Sequence, residues 1–147
     1  MNNTDIKTTI LNYWFEKPIK DHWFSSTPDI DDDILSNYQN LWAKAKAGKL
    51  NKLKDSAEGC PALCIILDQF PLNMFRNTPE SFSSEQQAVA ISKYAIQNKL
   101  DESLSNEQVI FLYMPLMHSE NIDDQNLSVH CFKKRDLNTH FSNHHRE

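Results

Sequence analysis

The chain has 147 residues, 39% of them hydrophobic, with fifteen Lys and Arg against twenty Asp and Glu for a formal net charge of −5. That length suits a single domain with one core over residues 1–147, and a scattered acidic excess has the wrong sign for neutralising nucleic-acid phosphates. The longest unbroken apolar run, residues 62–67, falls far short of the ~20 residues that a membrane-spanning helix needs.

In chain order, Ile6, Ile10, Leu11 and Trp14 recur at helical spacing, with Thr4 or Asp5 placed to cap the start and Pro18 marking the end. Residues 17–28 read as a loop carrying His22, Trp23 and Phe24. Its aromatic rings should plug the first helix against the centre, because leaving them in water forfeits roughly 1.5–3 kcal/mol each. Residues 29–47 put Ile34, Tyr38, Leu41, Trp42 and Ala45 on one helical face, with Asp29, Asp31, Asp32 and Asp33 in the first turn, where the helix dipole favours anions. A calcium loop would need a turn glycine and a closing Glu. Neither is present, so capping and solvation are the preferred roles. Gly48 is placed to end this helix in a left-handed cap. Residues 51–59 are polar and read as a mobile connection.

Pro61 suits the first turn of a third helix over residues 62–70, apolar almost all round and therefore central. Asp68, Gln69 and Phe70 close that run, and Pro71 is expected to stop the helix at Phe70. The residues that follow mix Leu72, Met74 and Phe75 with Asn73, Arg76, Asn77 and Thr78, the composition of an ordered loop packed on the body. Ser83 with Gln86 reads as a capping box opening a helix through Gln97, and Ser105 with Gln108 repeats the device before Val109, Leu112, Tyr113 and Leu116. Pro115 should kink or end that helix. A last helix runs from Asp123 or Asp124 through Leu127, Cys131 and Phe132, with residues 137–147 continuing it or starting another. Gly48 and Gly59 are the only glycines, too few for a protein of tight β-hairpins. The expectation is an all-α domain of about six helices. Cys60, Cys64 and Cys131 form an odd set without a disulfide-framework spacing and follow no signal peptide, which points to a reducing cytoplasm.

Three groups of residues bear on chemistry. Asp68, Gln69, Asn73 and Arg76, joined across the fold to His118, Glu120 and Gln125, would supply a general base, a proton shuttle and an anion clamp to a hydrolase or lyase pocket. The same side chains also satisfy backbone groups that a proline leaves unpaired, and this structural role is preferred. His140 and His144 sit one turn apart near His145 and Glu147, and Cys60 and Cys64 repeat that spacing. Neither pair has further fixed ligands, so no metal and no cofactor are expected. The aromatic surplus reads as core, although helical stacks also use aromatic and amide side chains in a groove to hold extended peptides.

Leu67-Asp68-Gln69-Phe70-Pro71, Asn73-Met74-Phe75-Arg76 and Thr78-Pro79-Glu80-Ser81-Phe82, followed by Phe111-Leu112-Tyr113-Met114-Pro115-Leu116-Met117-His118-Ser119-Glu120 with Gln125 and Ser128-Val129 behind, resemble the two motifs of domain of unknown function 924. The likeness spans nearly the whole chain. It implies a tetratricopeptide-like array of packed antiparallel helical hairpins, and it implies no activity. Leu72 stands where that family usually has Arg, Asn77 where it has Gly and Glu85 where it has Asp. The family also continues past the segment resembling residues 141–146 through a further helix, so the chain looks shortened at its C-terminus. On this reading the protein is a helical scaffold or binding module whose groove accepts a peptide or small polar ligand at Asp68, Gln69, Asn73, Arg76, His118, Glu120 and Gln125. An enzyme using Asp68, Arg76, His118 and Glu120 is the first alternative, and a structural or degraded remnant the second. Without the family's next helix, apolar surface near Phe132, Leu137 and Phe141 should be uncovered, which would favour a homodimer through that end or a frayed tail.

Overall fold

The computed structural model describes residues 2–137. Among them the chain forms helices and short 3-10 turns, with no strand. The helices are α1 (Asn3–Phe15), α2 (Pro28–Lys46), α3 (Gly59–Cys64), a π-helical turn (Ile65–Gln69), α4 (Phe70–Met74), α5 (Glu85–Gln97), α6 (Asn106–His118) and α7 (Ile122–Lys134). Because α3, the π-turn and α4 run on without a break, they make one rod, and the described residues contain six. The all-α expectation holds. None of these helices is long and apolar enough to cross a membrane.

The third rod corrects the sequence reading, since the helix does not stop at Phe70. A π-turn bonds each N–H five residues back, and the Phe70 N–H donates to the Ile65 carbonyl. Pro71 therefore enters as an early residue of a new α-helical segment, where its missing N–H is tolerated. Met74, buried at 8% exposure, extends the apolar face past the proline, so packing gain overrides the break.

Local chemistry explains most other boundaries. Asn2, rather than Thr4 or Asp5, caps α1: its Oδ1 accepts the Asp5 N–H at 2.9 Å. Thr27 caps α2 by accepting the Ile30 N–H at 3.2 Å, with Pro28 at the first helical position. Gly48 takes φ +82° just after α2, as its placement predicts. At α6 the capping box is complete, Ser105 Oγ accepting from Gln108 N–H at 3.2 Å and Gln108 Oε1 from Ser105 N–H at 3.1 Å. The corresponding expectation at Ser83 fails. Helix α5 starts at Glu85 after Ser84, with no side-chain cap, and the Ser83 hydroxyl donates backwards to the Glu80 carbonyl at 2.8 Å. Pro115 lies inside α6, which continues one turn beyond it to His118.

Residues 51–59 are not a mobile connection. They hold a 3-10 helix (Asn51–Asp55) whose Leu53 is 3% exposed. A Cβ on Gly59 would meet the Leu53 carbonyl oxygen at 1.7 Å, so the backbones are in direct contact. One leucine in a polar run was enough to anchor it.

The core is aromatic at its centre. Trp14 meets Phe70 edge-on at 5.9 Å and Phe111 at 5.4 Å, Tyr38 stacks on Phe70 at 5.0 Å, and Trp23 meets Phe111 at 4.7 Å. Such pairs add about 0.5–1.5 kcal/mol each beyond burial. Trp23 also donates its indole N–H to the Trp14 carbonyl at 2.9 Å, so it does plug α1, while Phe24 stays 38% exposed. Cys60, Cys64 and Cys131 are unpaired and buried, and burial pushes the Cys60 and Cys131 thiols up to about 11. They are packing residues.

The C-terminal end differs from expectation where it is described. Phe132 is fully buried, edge-on to Tyr113 at 5.4 Å. Arg135 closes α7 onto the turn before α6, donating to the carbonyls of Asp101 (3.0 Å) and Leu104 (2.9 Å) and to Asn106 Oδ1 (2.9 Å). Leu137 is half-buried against the core. The expected exposed patch is therefore absent at Phe132. Phe141 and the histidines 140, 144 and 145, with Glu147, lie outside the described residues.

Candidate functional site

Proline chemistry builds the site. Pro71 has no N–H to offer the Leu67 carbonyl one turn back. The Ser84 hydroxyl takes that role, donating to Leu67 O at 2.6 Å, and itself accepts the indole N–H of Trp42 at 3.0 Å. Ser84 is fully buried, so this chain of bonds ties α2 and the start of α5 to the widened turn. The same demand explains why Ser84 is not free to cap α5.

The widened turn presents Asp68 and Gln69, at 4% and 5% exposure. Asp68 faces the last residue of α6: its carboxylate lies 2.9 and 3.1 Å from His118 Nδ1. Gln69 donates to Asp68 Oδ2 at 3.2 Å and approaches the Met114 sulfur at 3.1 Å. Burial on its own lowers the pKa of His118, but the Asp68 charge and hydrogen bond, with Glu85 behind them, outweigh it and hold the imidazole above its usual value. Glu85 is pushed up in turn, by burial first and then by Asp68 and Glu120, against the opposing pull of His118. The three groups form one electrostatic cluster where the two sequence motifs meet.

The other sequence candidates go elsewhere. Arg76 does not reach Asp68. Its Nε and Nη2 donate to the Asp31 carboxylate of α2 at 2.8 and 3.1 Å, and Asn73 donates to the same carboxylate at 2.9 Å and to Ser26 Oγ at 3.0 Å. The Ser26 hydroxyl completes the set by donating to Asp31 at 2.8 Å. Burial would raise the Asp31 pKa, but Arg76, Asn73 and Ser26 together hold it below the usual carboxylate range. Glu120 is exposed. Gln125 is structural, donating to the Ser119 carbonyl at 2.7 Å just past α6. Beside it Asp124, 4% exposed, accepts from Ser119 at 2.7 Å and pairs with Lys93 at 2.6 Å. Sequence reasoning missed Asp31, Ser84, Glu85 and the Lys93–Asp124 pair. The only signal for Asp31 was the run of acids, which a helix N-terminus already explained.

Between Arg76 and Phe82 the chain encloses a concavity of about 680 Å³, walled by Leu72, Arg76, Asn77, Thr78, Pro79, Ser81 and Phe82. Its rim is held by short bonds: the Thr78 and Ser81 hydroxyls donate to the carbonyls of Phe75 and Thr78, each at 2.7 Å. Asn77 makes the bend at φ +66°, a conformation Asn adopts more readily than other side chains. Phe82 is 61% exposed here. Among the described residues no group of three or more His, Cys, Asp or Glu side chains could hold a metal ion.

Comparison with known proteins adds family and fold. A solved structure of a protein of unknown function from Agrobacterium tumefaciens superposes with a TM-score of 0.89 at 26% identity, covering 99% of this chain and 82% of that one. No curated protein matches. The family model described as "Bacterial protein of unknown function (DUF924)" matches residues 10–146, and the chain belongs to that family.

Proposed function

We propose that the protein is a helical binding module, acting in the reducing cytoplasm, that holds a small polar ligand or an extended peptide in the concavity between Arg76 and Phe82. The observation that carries this reading is an open recess of about 680 Å³ with a large apolar ring standing 61% exposed at its edge. Ligand sites are concavities of roughly 300–1,000 Å³ that combine apolar walls with a few placed polar groups. The recess is also pre-formed by its own hydrogen bonds, which reduces the ordering required on binding.

The enzyme alternative needs Asp68, Arg76, His118 and Glu120 to converge, and they do not. Arg76 bonds Asp31 rather than Asp68, Glu120 is exposed, and Asp68 is closed in by His118 and Gln69. Asp68 and His118 fit a different role, pinning the end of α6 to the widened turn.

A thermal-shift screen of peptides and metabolites tests the proposal, because a site-specific ligand stabilises by mass action. A hit is expected to lose its shift in Phe82→Ala, while the unliganded midpoint moves by no more than about 2 °C, since Phe82 contributes little buried area. A hit whose shift is unchanged in Phe82→Ala would place binding elsewhere and overturn the reading.

A further inference from the structure

We infer that the recess recognises a carboxylate carried on an aromatic or apolar body, the carboxylate held by the outer edge of the Arg76 guanidinium and the body by Leu72 and Phe82. This rests on the recess being the binding site. A guanidinium has five N–H donors in a planar fork. Asp31 uses Nε and one hydrogen of Nη2, which leaves Nη1 and the second Nη2 hydrogen as a further edge able to meet two oxygens at once. The exposures fit this division: the Asp31 side chain is 17% accessible and the Arg76 side chain 49%. The clamped edge is taken up by Asp31, and Arg76 is also part of the recess wall.

Charge selects the class of ligand. Among the described residues Arg76 is the one basic side chain in the wall, and Asp31 already offsets much of its charge. A phosphate-sized dianion would meet one half-neutralised cation in a protein of formal net charge −5, whereas a monoanionic carboxylate matches the fork in both geometry and charge. Asn73 and Ser26 fix Asp31, and Asp31 fixes the plane of Arg76, so the donors stand ready before the ligand arrives. Leu72 and exposed Phe82 supply the apolar contact. Two sources share this chemistry, a free aromatic acid and the last residue of a peptide.

The test uses the full chain and amide NMR. The probes are 3-phenylpropionate and its neutral amide, and a tetrapeptide ending in Phe with a free or an amidated carboxyl. Resonances of residues 72–82 should move, and a carboxylate should bind about tenfold tighter than its amide or better, as expected for charge-assisted bonds. Arg76→Lys, which keeps the charge facing Asp31 but loses the fork, should bring each pair close to parity. Tight binding of the peptide alone identifies a chain terminus as the source, and of phenylpropionate alone a free acid; either supports the inference. Equal binding of carboxylates and amides at residues 72–82 overturns the inference and leaves the recess a binding site. No perturbation of those residues by any probe overturns both. The comparison on the unaltered protein stands even if Arg76→Lys is unstable.

Discussion

His118 holds its proton to higher pH than a free imidazole because its partner is a carboxylate buried in a widened helical turn. A pKa raised by folding gives stability that is fully present below the unfolded value of about 6.5 and is lost as pH rises through the folded value. His118→Gln is therefore expected to lose about 3 kcal/mol at pH 6 by leaving Asp68 buried without its cation. Urea unfolding should show that deficit narrowing as pH rises through the raised His118 value, and a deficit that widens would contradict the ion pair. Ser84→Ala tests the other polar link. It removes the partner of two buried groups, the Leu67 carbonyl and the Trp42 indole N–H, and should destabilise by roughly 2–4 kcal/mol at every pH.

At the scale of elements, the two glycines separate conformation from contact. Gly48 has φ +82° and room for a side chain, the nearest neighbour to an added Cβ being Asn51 at an ordinary contact distance of 3.6 Å. Gly48→Ala should cost about 1–2 kcal/mol, the strain of a left-handed alanine. Gly59 has no such φ but is pressed against the Leu53 backbone, so Gly59→Ala must move the 3-10 helix (Asn51–Asp55) and should be worse by several kcal/mol. Thermal midpoints of the two variants check the order. This contrast also marks what the sequence can reveal. Gly48 and the Ser105–Gln108 box are local devices, legible from spacing. The Asn51–Asp55 turn and the uncapped start of α5 depend on distant backbone, which no short window contains. Pro71 was misread for the same reason: the group that replaces its N–H, Ser84, is 13 positions further along the chain.

For the whole molecule, the helical class and the convergence of Asp68 with His118 were legible, since a buried carboxylate at one helix end and an imidazole at another invite pairing. The Arg76–Asp31 pair was not, because it joins residues 45 apart whose local contexts each had a sufficient explanation. That pair and Lys93–Asp124 bind α2 to the turn after α4 and α5 to α7 through carboxyls whose pKa is lowered, Asp31 by Arg76, Asn73 and Ser26 and Asp124 by Lys93 and Ser119, each against burial. Depressed values give stability that is present above the unfolded value of about 3.9 and is lost as pH falls through the folded one. The urea midpoint should therefore fall steeply only below about pH 4, and Asp31→Asn with Asp124→Asn should flatten that limb. The widened turn at Ile65–Gln69 has one more consequence. Such a turn is equivalent to a single residue spliced into an α-helix, its surplus absorbed locally so that the turns on either side keep their phase. In genetic terms the widened turn stands one in-frame codon away from an ordinary helix.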